Sequence, residues 1–526
     1  MAKVKQPLEE NGIHRAKMWE IMMYALNNTS TNTYMLVVGY ISYFLIGIVG
    51  LASVLAGSIV TIMRVWDGVT DPFVGMMVDK TNGKFGKNRP FIVIGQIIMF
   101  VTTFVMFNFI PKMGTGVRFV AFIIIYMVYI LGYTCQCVVT KSAQTCLTND
   151  PKQRPIFAMC DTVYNIILMN ILFPIIVTDV LVPKFTLTAE ANAAEIASLV
   201  AQNPALAGIV EKSGGSLSAF YNPGLFTTMQ LMFGGLSAVF AVCAIIALWR
   251  KDNPKYFGLG TTQKVGIKDY VDTLAHNRAI QMLVVSASTD KLFMSTKSNA
   301  TVMICLFGII FGNYAAYSSY SQITSIPICL ISILLMNKIA RQMGQKASML
   351  VGTWGGIIGS LAITLFLFFF NPKGDASKFS LPAFRIIRPD TWGTLFTGWT
   401  ATALIFVLLV IAWSGVQALS SSIVITMTAD CADYEVYRTG KYVPGLMGTL
   451  FSFVDKLVSS LAATLVALFY SMAGFKDALP DTMTPYSDKI FWATVGCFVL
   501  LPIVGWLCNV VAMHFYPLTK ETVSYT

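Results

Sequence analysis

Apolar runs of about 20 residues, each long enough to cross the roughly 30 Å core of a bilayer, recur along the whole chain and are separated by short polar segments. They predict twelve membrane-spanning helices at about 23–50, 54–78, 90–110, 118–146, 156–182, 226–249, 279–312, 315–337, 347–370, 396–428, 445–473 and 489–516. Two polar intervals are longer than the rest. Residues 183–225 contain an alanine-rich stretch, Ala189 to Gln202, which reads as a short amphipathic helix too polar to span. Residues 371–395 form the second. The interval 250–278 is mixed in charge and divides six spans from six.

The segment after span two, Asp79-Lys80-Thr81-Asn82-Gly83-Lys84-Phe85-Gly86-Lys87-Asn88-Arg89, has a counterpart after span eight, Asn337-Lys338-Ile339-Ala340-Arg341-Gln342-Met343-Gly344-Gln345-Lys346. Lys80 aligns with Lys338 and Gly86 with Gly344, both at an offset of 258 residues. The expected fold is an all-α integral membrane protein of twelve helices in two pseudo-symmetric six-helix bundles, residues 1–249 and 279–526, joined by a cytoplasmic connector at 250–278. Parallel six-helix halves are the architecture of major facilitator transporters.

Composition agrees. Of 526 residues 55% are hydrophobic and 12% charged, about half the charged share of soluble domains. The net charge of +11 is not a nucleic-acid footprint. With the N-terminus inside, the inner segments hold roughly twice the Lys and Arg of the outer ones, as the positive-inside rule requires. Both termini are then cytoplasmic and the cell membrane is the expected location. No secretory signal is expected, since Met1 to Lys17 is polar and the apolar run that follows is too long for one. The ten Cys lie in or beside apolar runs, as with Cys135, Cys243, Cys305 and Cys497, a pattern of buried small hydrophobes rather than disulfides. The three His (His14, His276, His514) offer no i, i+4 pair inside a span for a metal-dependent membrane enzyme. No enzymatic activity, cofactor or nucleic-acid partner is expected, and a monomer with a small-molecule substrate is.

Chemistry must reside in the charges left within the spans: Arg64, Lys141, Lys291, Lys297 and Lys456, with Asp67, Asp71, Asp161, Asp290 and Asp455. An ionised group near mid-bilayer costs about 2.5–3.5 kcal/mol even on the insertion scale, so these residues should face a protein or water-filled interior. Arg64, Asp67 and Asp71 stand at i, i+3 and i+7 and project from one helical face. Two carboxylates one turn apart repel when both are ionised, and a bound cation or a retained proton removes that repulsion. A structural ion cluster with Arg64 is the alternative. Asp290 and Lys297 also share a face, either as a locked pair or as substrate contacts. Asp455 cannot share the direction of Lys456 and should pair elsewhere. Tyr133, Tyr164 and Trp413 offer rings for a sugar to stack on, though aromatic residues are common in spans.

Trp66-Asp67-Gly68-Val69-Thr70-Asp71-Pro72, followed by Gly75, Asp79, Gly86-Lys87 and Arg89-Pro90, resembles the signature of the glycoside–pentoside–hexuronide cation symporter family, to which the melibiose carrier belongs. Ala429-Asp430-Cys431-Ala432-Asp433-Tyr434-Glu435, Thr439-Gly440, Gly445 and Lys456 resemble that family's loop before span eleven and the lysine within it. Gly132-Tyr133-Thr134 and Arg154 also fit. The resemblance covers both halves. It implies that Asp67 and Asp71 bind or carry the coupling cation, with Lys456 nearby, and that they are the metal ligands if the ion is Na⁺. Substrate positions depart from the sugar carriers: Asn32 stands where they have an acid, Cys137 replaces a carboxylate, Lys141 a stacking Trp, and Asp161 an Arg. Loss of the span-four carboxylate favours H⁺ over Na⁺ as the coupling ion. Asn32, Arg64, Tyr133, Cys137, Lys141, Asp161, Asp290 and Lys297 are the candidate substrate residues. Lys141 and Asp161 are expected to face each other, unless Lys141 snorkels to the inner surface. A sugar, glycoside or uronide is the expected substrate, with a non-sugar anion or lipid-like amphiphile as the alternative.

Overall fold

A computed structural model describes residues 14–81, 83–148, 153–253, 272, 274–370, 376–382, 388–395, 397–439, 453–476 and 478–519. Helices occupy each predicted span. They are α1 (Met18–Val49), α2 (Ser53–Lys80), α3 (Arg89–Asn108), α4 (Thr115–Ser142), α5 (Arg154–Tyr164, running on to Phe185) and α6 (Pro223–Leu248). The second half supplies α7 (Arg278–Lys297 with Ala300–Ile310), α8 (Tyr314–Met343), α9 (Gln345–Phe370), α10 (Ala401–Thr439), α11 (Phe453–Met472) and α12 (Asp488–Phe515). Among the described residues, eight of these are long and apolar enough to cross a membrane, or nine with the bent α7 counted as one span. The more polar α2, α8 and α10 make up the rest.

Local chemistry sets the boundaries. Asn222, Asn277 and Asn313 cap α6, α7 and α8 by accepting backbone N–H bonds from Gly224, Ile280 and Ala316, the usual role of Asn at a helix start. Asn299 does the same inside α7 by accepting from the Thr301 N–H, and there the helix bends by 45°. The predicted helix Ala189–Gln202 forms with those bounds. One boundary is corrected. The Ala429–Glu435 motif, expected in the loop before span eleven, lies on α10, which continues to Thr439. No Gly or Pro interrupts the chain there before Gly440.

The repeat is expressed in the backbone. Gly86 and Gly344 both have φ +91°, a left-handed conformation that favours glycine. The Asp252 carboxylate closes the first of these turns. It accepts from the backbone N–H groups of Lys87 (3.1 Å), Asn88 (2.9 Å) and Arg89 (2.9 Å), with the Arg89 Nε at 3.5 Å. An acid at the exposed N–H groups that open α3 offsets the partial positive charge there. In the second half Lys346 Nζ donates to the Tyr516 carbonyl at 2.8 Å, beyond the end of α12. Most of the connector, 254–271, lies outside the described residues.

The chain packs as two compact units, one drawn from residues 1–49, 66–177 and 220–262, the other from 50–65, 178–219 and 263–526. In the first, Ser30, Gln96, Gln136 and Ser237 form a buried network joining α1, α3, α4 and α6, so polar groups inside the bundle satisfy one another as low dielectric demands. In the second, the N-terminal part of α2 lies against α11. Thr61 donates to the Ser460 carbonyl at 2.8 Å and meets Thr464 Oγ1 at 2.7 Å, and a Cβ at Gly57 would stand 2.7 Å from the Ala463 carbonyl. Small residues one turn apart permit this close helix approach.

Candidate functional site

Asp67 and Asp71 lie on the unbroken helix α2, so their predicted common face is real. Asp67 is 2% exposed. Its Oδ1 accepts a hydrogen bond from Thr134 Oγ1 on α4 at 3.1 Å. Thr134 Oγ1 lies 3.2 Å from Thr70 Oγ1, which itself donates to the Asp67 carbonyl at 3.0 Å. The oxygens brought together here are the Asp67 carboxylate and the hydroxyls of Thr134 and Thr70, with Asp71 one turn further along α2. Hard cations and protons suit such a set. Span four does supply an oxygen beside Asp67, from Thr134 rather than from position 137. Arg64 and Cys137 are half-buried.

The substrate candidates of α1 and α5 meet as two rungs of a ladder. Asn28 Nδ2 donates to Asp161 Oδ1 at 2.7 Å, and Asn32 Nδ2 to Asn165 Oδ1 at 2.9 Å. All four are half-buried. The side chain of Lys141 lies outside the described residues, so its proposed approach to Asp161 does too. Asn28 and Asn165 were missed by reading charges alone. Their signal was the i, i+4 spacing of polar side chains, Asn28–Asn32 and Asp161–Asn165, on otherwise apolar helices. Tyr133 stacks on Tyr129 with ring centroids 6.4 Å apart.

Asp290 and Lys297 are buried, at 6% and 7% exposure, and the side chains packed on them are indoles. Lys297 Nζ sits 3.4 Å from the centre of the Trp413 ring and donates to Gln417 Oε1 at 3.0 Å. Asp290 Oδ1 accepts from Trp506 Nε1 at 2.9 Å. The two indoles meet edge to face at 6.0 Å. A cation–indole–indole–acid series thus runs from Lys297 to Asp290 and ties α7 to α10 and α12. Asp455 pairs with Lys291, and its neighbour Lys456 is half-buried on α11.

Helices over all twelve spans, with buried acids, amides and cations turned toward one another inside the bundles, define a multi-pass membrane transporter. A family model described as "MFS/sugar transport protein" matches residues 27–520. The chain belongs to that family, a family of transporters and not of enzymes. It is 21% identical over 502 residues to the isoprimeverose transporter of Lactiplantibacillus pentosus, covering 95% of this chain and 89% of the relative. It is 21% identical over 477 residues to a glucuronide carrier protein homolog of Escherichia coli strain K12, covering 90% and 86%. Among solved structures, that of the nucleoside transporter NupG superposes with a TM-score of 0.58 at 10% identity, over 95% of this chain and all of that one. That likeness concerns the fold, and it agrees with the major facilitator architecture read from the repeat.

Proposed function

We propose that the chain is a cation-coupled symporter for a sugar, glycoside or uronide, working as a monomer in the cell membrane with both termini cytoplasmic. The observation that carries this reading is the buried Asp67 held by Thr134, one helical turn from Asp71. With the site empty, two carboxylates repel across one turn of helix. A cation removes the repulsion, and Lys456 stands in for it electrostatically when it is absent. Sugar hydroxyls suit the amide and carboxylate ladder of Asn28, Asn32, Asp161 and Asn165, which offers donors and acceptors in alternation. Loading both sites then permits alternating access between the six-helix halves.

A proton needs only one carboxylate, and the missing acid at position 137 favours H⁺. The hydroxyls of Thr70 and Thr134 favour the second reading, Na⁺, which wants several oxygens. Names of relatives, an isoprimeverose transporter and a glucuronide carrier homolog, support a sugar-type substrate. A non-sugar anion or lipid-like amphiphile is the alternative. Counterflow in proteoliposomes with radiolabelled pentosides, glucuronides and lysolipids tests the substrate. Imposed pH and Na⁺ gradients, applied singly, test the ion. Uptake of none of the sugars, with counterflow of a lysolipid, would overturn the reading.

A further inference from the structure

The outer end of α5 and the segment leading into α10 border a half-open cavity of about 390 Å³, lined by Asp179, Val180, Pro183, Lys184 and Arg388. Ligand pockets fall between about 300 and 1,000 Å³. All five residues belong to the second unit. Asp179 is 5% exposed, and its Oδ1 accepts from Thr178 Oγ1 at 3.3 Å. Pro183 opens the short helix Val182–Phe185, whose last turn carries Lys184. Arg388, extended and exposed, immediately precedes the 3₁₀ turn Pro389–Thr394.

The lining combines three chemistries. Two cations stand at the rim, one carboxylate is sunk in the wall, and Val180 and Pro183 present an aliphatic patch. A neutral sugar can accept hydrogen bonds from the cations but gains no charge pairing from them. A bare inorganic anion gains from them but is repelled by Asp179. A ring carrying both a carboxylate and hydroxyls uses every part. A guanidinium takes a carboxylate with two parallel hydrogen bonds, and a lysine adds a mobile point charge. The buried acid accepts from hydroxyls, and the aliphatic patch meets the ring's C–H face.

We propose that this cavity is an outer capture site for sugars bearing a carboxylate, uronic acids and their glycosides, occupied before the substrate reaches the ladder of α1 and α5. The proposal rests on the sugar-symport reading and narrows it to anionic members. Rim cations of this kind raise the local concentration of an anionic ligand and its rate of association, and salt weakens both effects.

The test measures binding of D-glucuronate and D-glucose to the full-length protein in neutral detergent by calorimetry, alongside uptake of a glucuronide and a neutral pentoside in proteoliposomes. Combining Lys184→Gln with Arg388→Gln removes both charged contacts and should weaken glucuronate binding by roughly tenfold or more, while D-glucose binding changes far less. Arg388→Lys, which keeps the charge and loses the fork, should fall between. Glucuronide uptake at low concentration should slow in the double variant and in added salt, while pentoside uptake should not. Unchanged glucuronate affinity in a monodisperse double variant overturns the capture site, even if the wild type concentrates glucuronides. Equal loss for glucuronate and glucose overturns it as well. Tighter displacement by glycerol 1-phosphate than by glucuronate assigns the cavity to lipid headgroups and also overturns it. Loss of glucuronate binding in the variant, with no sugar uptake by the wild type, upholds the site and refutes the symport reading instead.

Discussion

Thr134 Oγ1 on α4 donates a 3.1 Å hydrogen bond to Asp67 Oδ1 on α2, so a hydroxyl and not a second-helix carboxylate stands beside the buried acid. Position 137 was expected to be the weak point of any cation site. One turn before it, Thr134 places a neutral oxygen beside Asp67 without adding charge.

Thr134→Val should therefore weaken coupling while the fold persists, and Thr134→Ser should preserve it. A hydrogen bond to a charged group contributes about 1.5–3 kcal/mol, roughly tenfold or more in the half-saturating ion concentration: a rise for Na⁺, which loses an oxygen ligand, and a fall for H⁺, because the lost bond had favoured the ionised carboxylate. Asp67→Asn and Asp71→Asn should each abolish accumulation against a gradient and spare some downhill exchange. Normal accumulation in both Asn variants would show that the coupling site lies elsewhere.

The 2.7 Å bond from Asn28 to Asp161 makes a second prediction. Asn28→Asp would set two carboxylates against each other and should depress transport more than Asn28→Ala, which only removes a donor. Asp161→Asn should rescue Asn28→Asp in part, because it restores one neutral partner. Equal uptake in Asn28→Asp and Asn28→Ala would remove the ladder from the substrate path. Lys141→Asp with Asp161→Lys remains the separate test of whether Lys141 shares this cavity. No recovery over the single variants would exclude it.

Stability of the first unit should depend on Asp252. Asp252→Ala strips three backbone N–H groups of their acceptor, and loss of a cap costs about 0.5–2 kcal/mol. Gly86→Ala should do at least as much harm. Its backbone is left-handed, and a Cβ there would lie 2.2 Å from Asp252 Oδ2. Thermal unfolding in detergent should show both losses, and Gly114→Ala, where no atom lies within 4 Å of a new Cβ, should show little.

Asp481, in the segment between α11 and α12, makes stability depend on pH. It is fully buried, and its Oδ2 has no hydrogen-bond partner among the described residues. Burial pushes its carboxyl up to about 6, against opposing hydrogen bonds from Thr484 and Met483. The folded state thus holds the proton more tightly than the unfolded chain, whose Asp titrates near 3.9. The resulting stabilisation is fully present below about pH 4 and is lost as pH rises through about 6. Its upper size is about 3 kcal/mol, from two units of displacement. Melting temperatures of the wild type should fall relative to Asp481→Asn between pH 4 and 7. Parallel curves for the two proteins would refute the assignment.

The lengths of the apolar runs alone placed the helices, and glycine spacing alone placed the turn at Gly86 with its echo at Gly344. Each of these is local. A span is a run of apolar residues of fixed length, and a left-handed turn needs a glycine wherever the chain goes next. The face shared by Asp67 and Asp71 was legible for the same reason, since helical spacing fixes it. Tertiary structure decided which partner each polar group found. Nothing in the spacing of α7 told that Asp290 and Lys297 would each pack on an indole, or that Lys291 would take Asp455. Asp252 looked like one more charge at the head of a mixed-charge connector until packing brought the N–H groups of Lys87, Asn88 and Arg89 to its carboxylate. A buried charge takes whichever partner packing brings within reach in low dielectric, and sequence order does not record that distance.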